Sequence, residues 1–146
     1  MTRSLLITLM AATALLGCDQ AAPPVSQEYQ LHPELAEHTS HFDKQVYQIG
    51  ERIYSAVGWN LANTIMIEGD DGLIIIDVGE STPQSEQVMA EFRRITDKPV
   101  KAVIYTHHHP DHINGTAAFV SAQQVERGEV EIIAHESLVE HVVMQG

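Results

Sequence analysis

The apolar positions along the chain fall into short runs with two different periods. Residues 45–49 and 52–57 have the length and composition of strands, separated by Gly50. Residues 60–68 and 73–78 predict a hairpin around Gly69-Asp70-Asp71-Gly72, where the Asp-Gly pair is expected to supply the positive φ of a tight turn. The run Leu73-Ile74-Ile75-Ile76 is continuously apolar, the pattern of a strand covered on both faces. The period then changes. Ser81 or Thr82 is placed to cap a helix with Pro83 in its first turn. Val88, Phe92 and Ile95 recur at i, i+4 and i+7 along that helix, and Asp97-Lys98-Pro99 ends it. Residues 100–106 predict another buried strand, 115–126 a helix, 130–134 a strand and 136–143 a last helix. Internal repeats are absent. Strands alternating with helices after residue 73 argue for an α/β layer.

Ahead of these elements the pattern is of another kind. Residues 1–17 carry Arg3 and then an apolar stretch over residues 5–16, too short for the roughly 20 residues that span a bilayer but suited to the core of an export signal. The adjoining Leu15-Leu16-Gly17-Cys18 resembles the lipobox of bacterial lipoproteins, in which the cysteine is lipidated and becomes the mature N-terminus. The alternative is a plain signal peptide cut near Ala21 or Ala22. A lipid at Cys18 would tether an exported, periplasmic protein to a bacterial membrane surface rather than thread it through. It would also use up the one cysteine of the chain, leaving no disulfide. Asp19 resembles the inner-membrane retention signal of some bacteria. Residues 18–33, polar and holding Pro23-Pro24, read as a flexible tether. Residues 34–44 have no clear period, and His38 and His41 within them read as solvated. The domain proper thus occupies residues 34–146.

Composition narrows the partners. With 44% hydrophobic and 19% charged residues in 146, the chain has the make-up of a globular domain. Its formal charge is −12, from 20 acids against 8 Lys plus Arg, so nucleic acid is not an expected partner. An anionic substrate would need metal ions or local basic groups to hold it.

The predicted strand over residues 100–106 runs directly into His107-His108-His109-Pro110-Asp111-His112. His107, His109, Asp111 and His112 form H-x-H-x-D-H: three imidazoles and a carboxylate within six residues, good ligands for zinc or another borderline metal. Alternate residues His107 and His109 can face one position while Asp111 and His112 face a second, so one loop can serve two metals. Two cations acidify the water between them enough for it to attack as hydroxide near neutral pH, and Asp111 could orient that water or take its proton. His108 lies between the ligand positions, and Pro110 stiffens the loop. The alternative of a solvated histidine-rich loop is at odds with four ligand-type residues placed between a buried strand and a glycine-containing helix start.

Thr106-His107-His108-His109-Pro110-Asp111-His112 resembles the signature of the metallo-β-lactamase superfamily. The resemblance implies an αββα sandwich with its metals at one edge, of which only the N-terminal part is present. It implies zinc, two ions in the complete enzyme, with His107 and His109 on one and Asp111 and His112 on the other. Ile75-Ile76-Asp77 matches the family strand that ends in an aspartate, there hydrogen-bonded to the metal loop, which makes Asp77 its support. Residues 42–49, 58–72, 91–99 and 133–136 are similar to the alkyl sulfatase branch. Members of that branch cut sulfate from long-chain alkyl esters such as dodecyl sulfate and release an alcohol, so the small-molecule substrate implied is an alkyl sulfate. Further metal ligands, the sulfate-binding region and the dimerisation region come later in such enzymes, so the chain reads as an N-terminal fragment, and a homodimer is an option for the full-length form. His135, Glu136 and His141 are the later ligand-type residues close together, and they read as solvated. Half a sandwich would expose an apolar sheet face and unpaired edges. Two readings stay open beside the alkyl sulfatase: another hydrolase of the same fold (a lactonase, β-lactamase or thioesterase), and an inactive truncated lipoprotein.

Overall fold

The computed structural model describes residues 31–144. The signal segment 1–17, Cys18 and most of the 18–33 tether lie outside the described residues. Helix α1 (Pro33–Thr39) and a 3-10 turn at Ser40–Phe42 lead into strands β1 (Gln45–Gly50), β2 (Ile53–Val57), β3 (Thr64–Glu68) and β4 (Leu73–Ile76). Then come α2 (Thr82–Arg93), β5 (Val100–Ile104), the one-turn α3 (Pro110–Ile113), a 3-10 turn at Thr116–Ala118, α4 (Ala122–Glu126), β6 (Glu131–Ile133) and α5 (Leu138–Met144).

The six strands form one sheet in chain order. Strands β1 to β4 are an antiparallel meander, whereas β4–β5 and β5–β6 are parallel pairs. Parallel neighbours require a crossover, which α2 provides in the first case and the α3–α4 stretch in the second. The result is the mixed α/β fold expected, with the partial character also expected: one sheet and its helices.

Register explains where the core sits. Met66 pairs with Ile75 and Ile75 with Val103, a rung of three fully buried side chains across the sheet. Val88 and Phe92 of α2, with Phe119 and Val120, complete this core. Each such burial is worth about 1.5–3 kcal/mol, enough to anchor α2 on this face. The opposite face is built from Ile65, Ile76 and Ile104, which pair in line, and from Ile67 and Ile74, all only half-buried. Here the expectation that β4 is covered on both faces is corrected. Leu73 and Ile75 are buried and Ile74 and Ile76 are not, because the helices cover one side of the sheet. At the β6 edge Ile132 and Ile133 are 40% and 45% exposed.

Three further expectations change. The helix expected over residues 115–126 is instead a 3-10 turn followed by the short α4, with the one-turn α3 ahead of both. Pro110 starts α3 early, Gly115 is pressed against other backbone, and Ser121 opens α4 afresh through a capping box with Gln124. Helix α2 ends at Arg93, so Ile95 lies beyond it and is 39% exposed; the inner face is Ser85, Val88 and Phe92. Gly72 does not adopt positive φ. Its missing side chain instead permits close approach, since a Cβ there would lie 2.5 Å from the Pro99 carbonyl oxygen.

The β3–β4 turn is tied to the chain entering β5. Lys98 Nζ lies 2.9 Å from Glu68 Oε1 and donates to the Gly69 carbonyl at 2.9 Å, while Arg52 pairs with Asp70 at 2.7 Å. The Lys98 hydrogen bond, then its charge, hold the Glu68 carboxyl below the ordinary glutamate value against the opposing effect of desolvation. A depressed carboxylate stabilises the fold above its unfolded pKa, and the contribution is lost as pH falls through the folded value. Glu68→Gln is therefore expected to lower the urea midpoint at pH 7 but not at pH 2, where the carboxyl is protonated; an equal effect at both pH values would exclude the ion pair as the cause. Gly115 offers a sterically sharper test. A Cβ there would overlap the Val78 carbonyl oxygen and Ser85 Oγ. Gly115→Ala should cost about 3 kcal/mol or more in chemical denaturation, and an unchanged midpoint would show that this contact is not tight in solution.

Candidate metal centre

The ends of β4 and β5 lie side by side because the strands are parallel, and the segments leaving them are stitched to one another. Asp77 N–H donates to the Ile104 carbonyl at 2.9 Å, Val78 N–H to the His112 carbonyl at 3.0 Å, and Gly115 N–H to the Gly79 carbonyl at 2.9 Å. Ser85, buried in the first half of α2, donates its hydroxyl to the Val78 carbonyl at 2.5 Å. The loop carrying the histidines is thus fixed against the β4 exit by backbone as well as side chains.

Asp77 is the centre of that junction. It is 6% exposed and has φ of 54°, a left-handed backbone that costs most residues about 1–2 kcal/mol but that Asp adopts more readily. One carboxylate oxygen accepts the Thr106 N–H at 2.9 Å. The other accepts the Thr106 hydroxyl at 2.8 Å and lies 2.7 Å from His112 Nδ1. With Nδ1 held by a carboxylate, His112 presents Nε2, which is 3.3 Å from Asp111 Oδ2. Asp77 thus ties Thr106, at the start of the histidine segment, to the His112 ring at its end.

The structure brings His107, His109, Asp111 and His112 together at the carboxyl end of β5. The ring centroids of His107 and His112 are 3.9 Å apart, those of His107 and His109 4.6 Å, and His107 Nε2 lies 3.1 Å from His109 Nδ1. His107 and His109 stand on the loop, with His109 capping α3, while Asp111 and His112 sit on α3 itself, where the sequence predicts only a loop. Among the described residues, no group of three or more His, Cys, Asp or Glu is arranged to hold a metal ion. His107 Nε2 lies against His109 Nδ1, and His112 Nε2 against Asp111 Oδ2. The donor set nonetheless suits a borderline metal: three imidazoles and a carboxylate, with one imidazole already oriented from behind by Asp77.

Beside this loop lies an open cleft of about 280 Å³. Thr106, His107 and His108 form one wall; His135, Ser137, Leu138 and His141 form the other. The His108 ring stacks on His141 with centroids 4.7 Å apart and planes at 22°. Partial desolvation, then the neighbouring imidazoles of His141, His109 and His107, hold His108 below the ordinary histidine value. His135 and His141 are exposed, as expected, yet they line this cleft. Glu136 is exposed and is not among its lining residues. Sequence reasoning misses Thr106 and Ser85 as fasteners and His141 as a neighbour of His108; only the parallel placement of β6 beside β5 brings that last pair together.

If the Asp77 carboxylate braces the loop, Asp77→Ala should lose about 2–4 kcal/mol in urea denaturation, since three donors lose their acceptor and Ala resists positive φ. Asp77→Asn keeps one acceptor and the backbone tolerance and should lose less. A change under about 0.5 kcal/mol for Asp77→Ala would mean that the brace carries no weight.

Comparison with known proteins agrees with the geometry. The family model of the metallo-beta-lactamase superfamily matches residues 57–145. A linear primary-alkylsulfatase of Pseudomonas sp. (strain ATCC 19151) is 63% identical over 81 residues, 56% of this chain and 15% of that protein. An alkyl/aryl-sulfatase of Saccharomyces cerevisiae is 38% identical over 101 residues, 68% of this chain and 16% of its own length. Among solved structures, a stereoselective inverting sec-alkylsulfatase from Pseudomonas sp. superposes with a TM-score of 0.66 at 28% identity, covering 69% of this chain and 16% of that one. The chain therefore spans about one-sixth of the length of these relatives. It is a member of the metallo-β-lactamase superfamily, with its sequence similarity on the alkylsulfatase side of that family.

Proposed function

We propose that this chain carries the first metal-binding segment of a zinc-dependent hydrolase acting on alkyl sulfate esters. The observation that carries the reading is the convergence of His107, His109, Asp111 and His112 at the end of β5, braced by Asp77, in a chain whose relatives are named alkylsulfatases. His107 and His109 would hold one zinc, and Asp111 with His112 the other. A bound zinc pair supplies Lewis acidity, drawing negative charge off the ester and lowering the pKa of nearby water.

The chain's own groups have distinct tasks in this reading. Asp77, bonded to His112 Nδ1, keeps Nε2 of that ring available for ligation. Thr106, bonded to Asp77 through both its N–H and its hydroxyl, holds the start of the loop in place. Asp111, 22% exposed at its side chain, would orient the attacking water and accept its proton. Water adds across the ester, and alcohol and hydrogen sulfate leave. In a chain of charge −12 the positive charge needed to hold the anion would come chiefly from bound metal. Cys18, in the lipobox-like Leu15-Leu16-Gly17-Cys18, would tether the exported protein to a bacterial membrane surface.

The native polypeptide, purified and zinc-loaded, should release sulfate from dodecyl sulfate. A chelator should abolish this and added zinc restore it, and His109→Ala should cut the rate about a hundredfold or more. A zinc-loaded native polypeptide that leaves dodecyl sulfate intact, or that turns over a β-lactam or thioester in preference, would reject the sulfatase reading.

A further inference from the structure

The far wall of the cleft has a composition unlike the rest of the chain. Asp and Glu outnumber Lys and Arg by 20 to 8, yet among the described residues no Asp or Glu lines this cleft, and no Lys or Arg does either. Its polar lining is four imidazoles and two hydroxyls, with Leu138 as the apolar member. Such a surface offers N–H and O–H donors and no carboxylate to repel an oxyanion.

Topology explains why these groups meet. β5 and β6 are parallel, with Ile104 opposite Ile133, and Tyr105 N–H donates to the Ile133 carbonyl at 2.9 Å. Both strands therefore finish at the same end of the sheet, and the residues beyond each finish, Thr106–His108 and His135–His141, face one another across the cleft. Crevices outside the carboxyl ends of parallel strands are the usual ligand sites of such sheets.

Local hydrogen bonds set the donors. Ser137 N–H donates to His135 Nδ1 at 3.2 Å, so that nitrogen is an acceptor and the ring proton resides on Nε2. Ser137 Oγ lies 2.8 Å from the same Nδ1. His135 is thereby left with Nε2–H as its donor. His141 is held by its stack on His108.

We infer that His135 and His141, on the segment from β6 into α5, add to the later sulfate-binding region by contacting the oxyanion end of the substrate and positioning it against the metal loop, while Leu138 meets the first carbons of its chain. This rests on the hydrolase reading for its substrate but not for its ligand class, which is a tetrahedral oxyanion. The two histidines are positioning residues, distinct from the metal ligands.

The test uses the zinc-loaded native polypeptide and inorganic sulfate as the probe, with Kd from calorimetry measured beside steady-state hydrolysis of dodecyl sulfate. His135→Ala and His141→Ala should each raise the sulfate Kd and the KM about tenfold, the loss of one good hydrogen bond to a charged group, with zinc content unchanged and kcat within about twofold. His135→Gln, which keeps an N–H donor near the position of Nε2, should recover most of the sulfate affinity. Native Kd and KM in both alanine variants would overturn the inference, as would a loss of zinc with unchanged sulfate affinity. Failure of the sulfatase reading looks different: no turnover of dodecyl sulfate, but sulfate still bound and still weakened by both substitutions.

Discussion

The carboxylate of Asp77 is the interaction on which the site depends. It sits at the exit of β4 in a left-handed backbone and accepts from both groups of Thr106 and from His112. Without it, the loop after β5 would keep its backbone ties at Val78 and Gly115 but lose the side-chain contact that orients His112. A buried carboxylate with fewer donors would be costly, so the aspartate and the loop stabilise one another or neither is stable. The strained φ of Asp77 belongs to the same mutual support. A backbone conformation of that kind persists where its surroundings over-determine it, and here three donors and two backbone bonds do so.

Around this junction the sheet has two unlike faces. The rung Met66, Ile75, Val103 is closed by Val88, Phe92 and Phe119, whereas the line Ile65, Ile76, Ile104 remains half-buried. In an αββα sandwich such an isoleucine face is the one that meets a second sheet. The metal loop lies at the end of the strands rather than on either face. Its geometry thus depends on the first half of the fold, through β4, β5 and their connections, even though the matches cover only 15% and 16% of those relatives.

The parts of the fold legible in the sequence are those set by local forces. The strands from residue 45 to 76 and helix α2 can be read because period, turn residues and Pro83 are local signals that tertiary packing reinforces. His107, His109, Asp111 and His112 are legible because a single short segment carries them all. Residues 113–126 resist such a reading because their breaks come from distant contacts: Gly115 yields to Val78 and Ser85, far earlier in the chain. Leu73-Ile74-Ile75-Ile76 looks doubly covered because composition alone does not say whether a second layer is there to cover it. The exposure of His135 and His141 is legible too, but not their meeting with His107 and His108, since that depends on β6 pairing parallel to β5.

That parallel pairing connects electrostatics to topology. A chain with this excess of acid repels anions over most of its surface, and an anion-binding region must therefore be screened from carboxylates. The ion pairs nearer the hairpin show how that separation is arranged: Glu68 with Lys98 and Asp70 with Arg52 neutralise acids at the β3–β4 turn, the opposite end of β4 from Asp77. Asp77 itself is turned inward onto Thr106 and His112 and is almost wholly buried. The end of the sheet that carries imidazoles consequently presents nitrogen and hydroxyl groups across the cleft, while its buried carboxylate acts through the ring it holds. An acidic protein can in this way keep one surface receptive to an anion with no lysine or arginine among the described residues that line it.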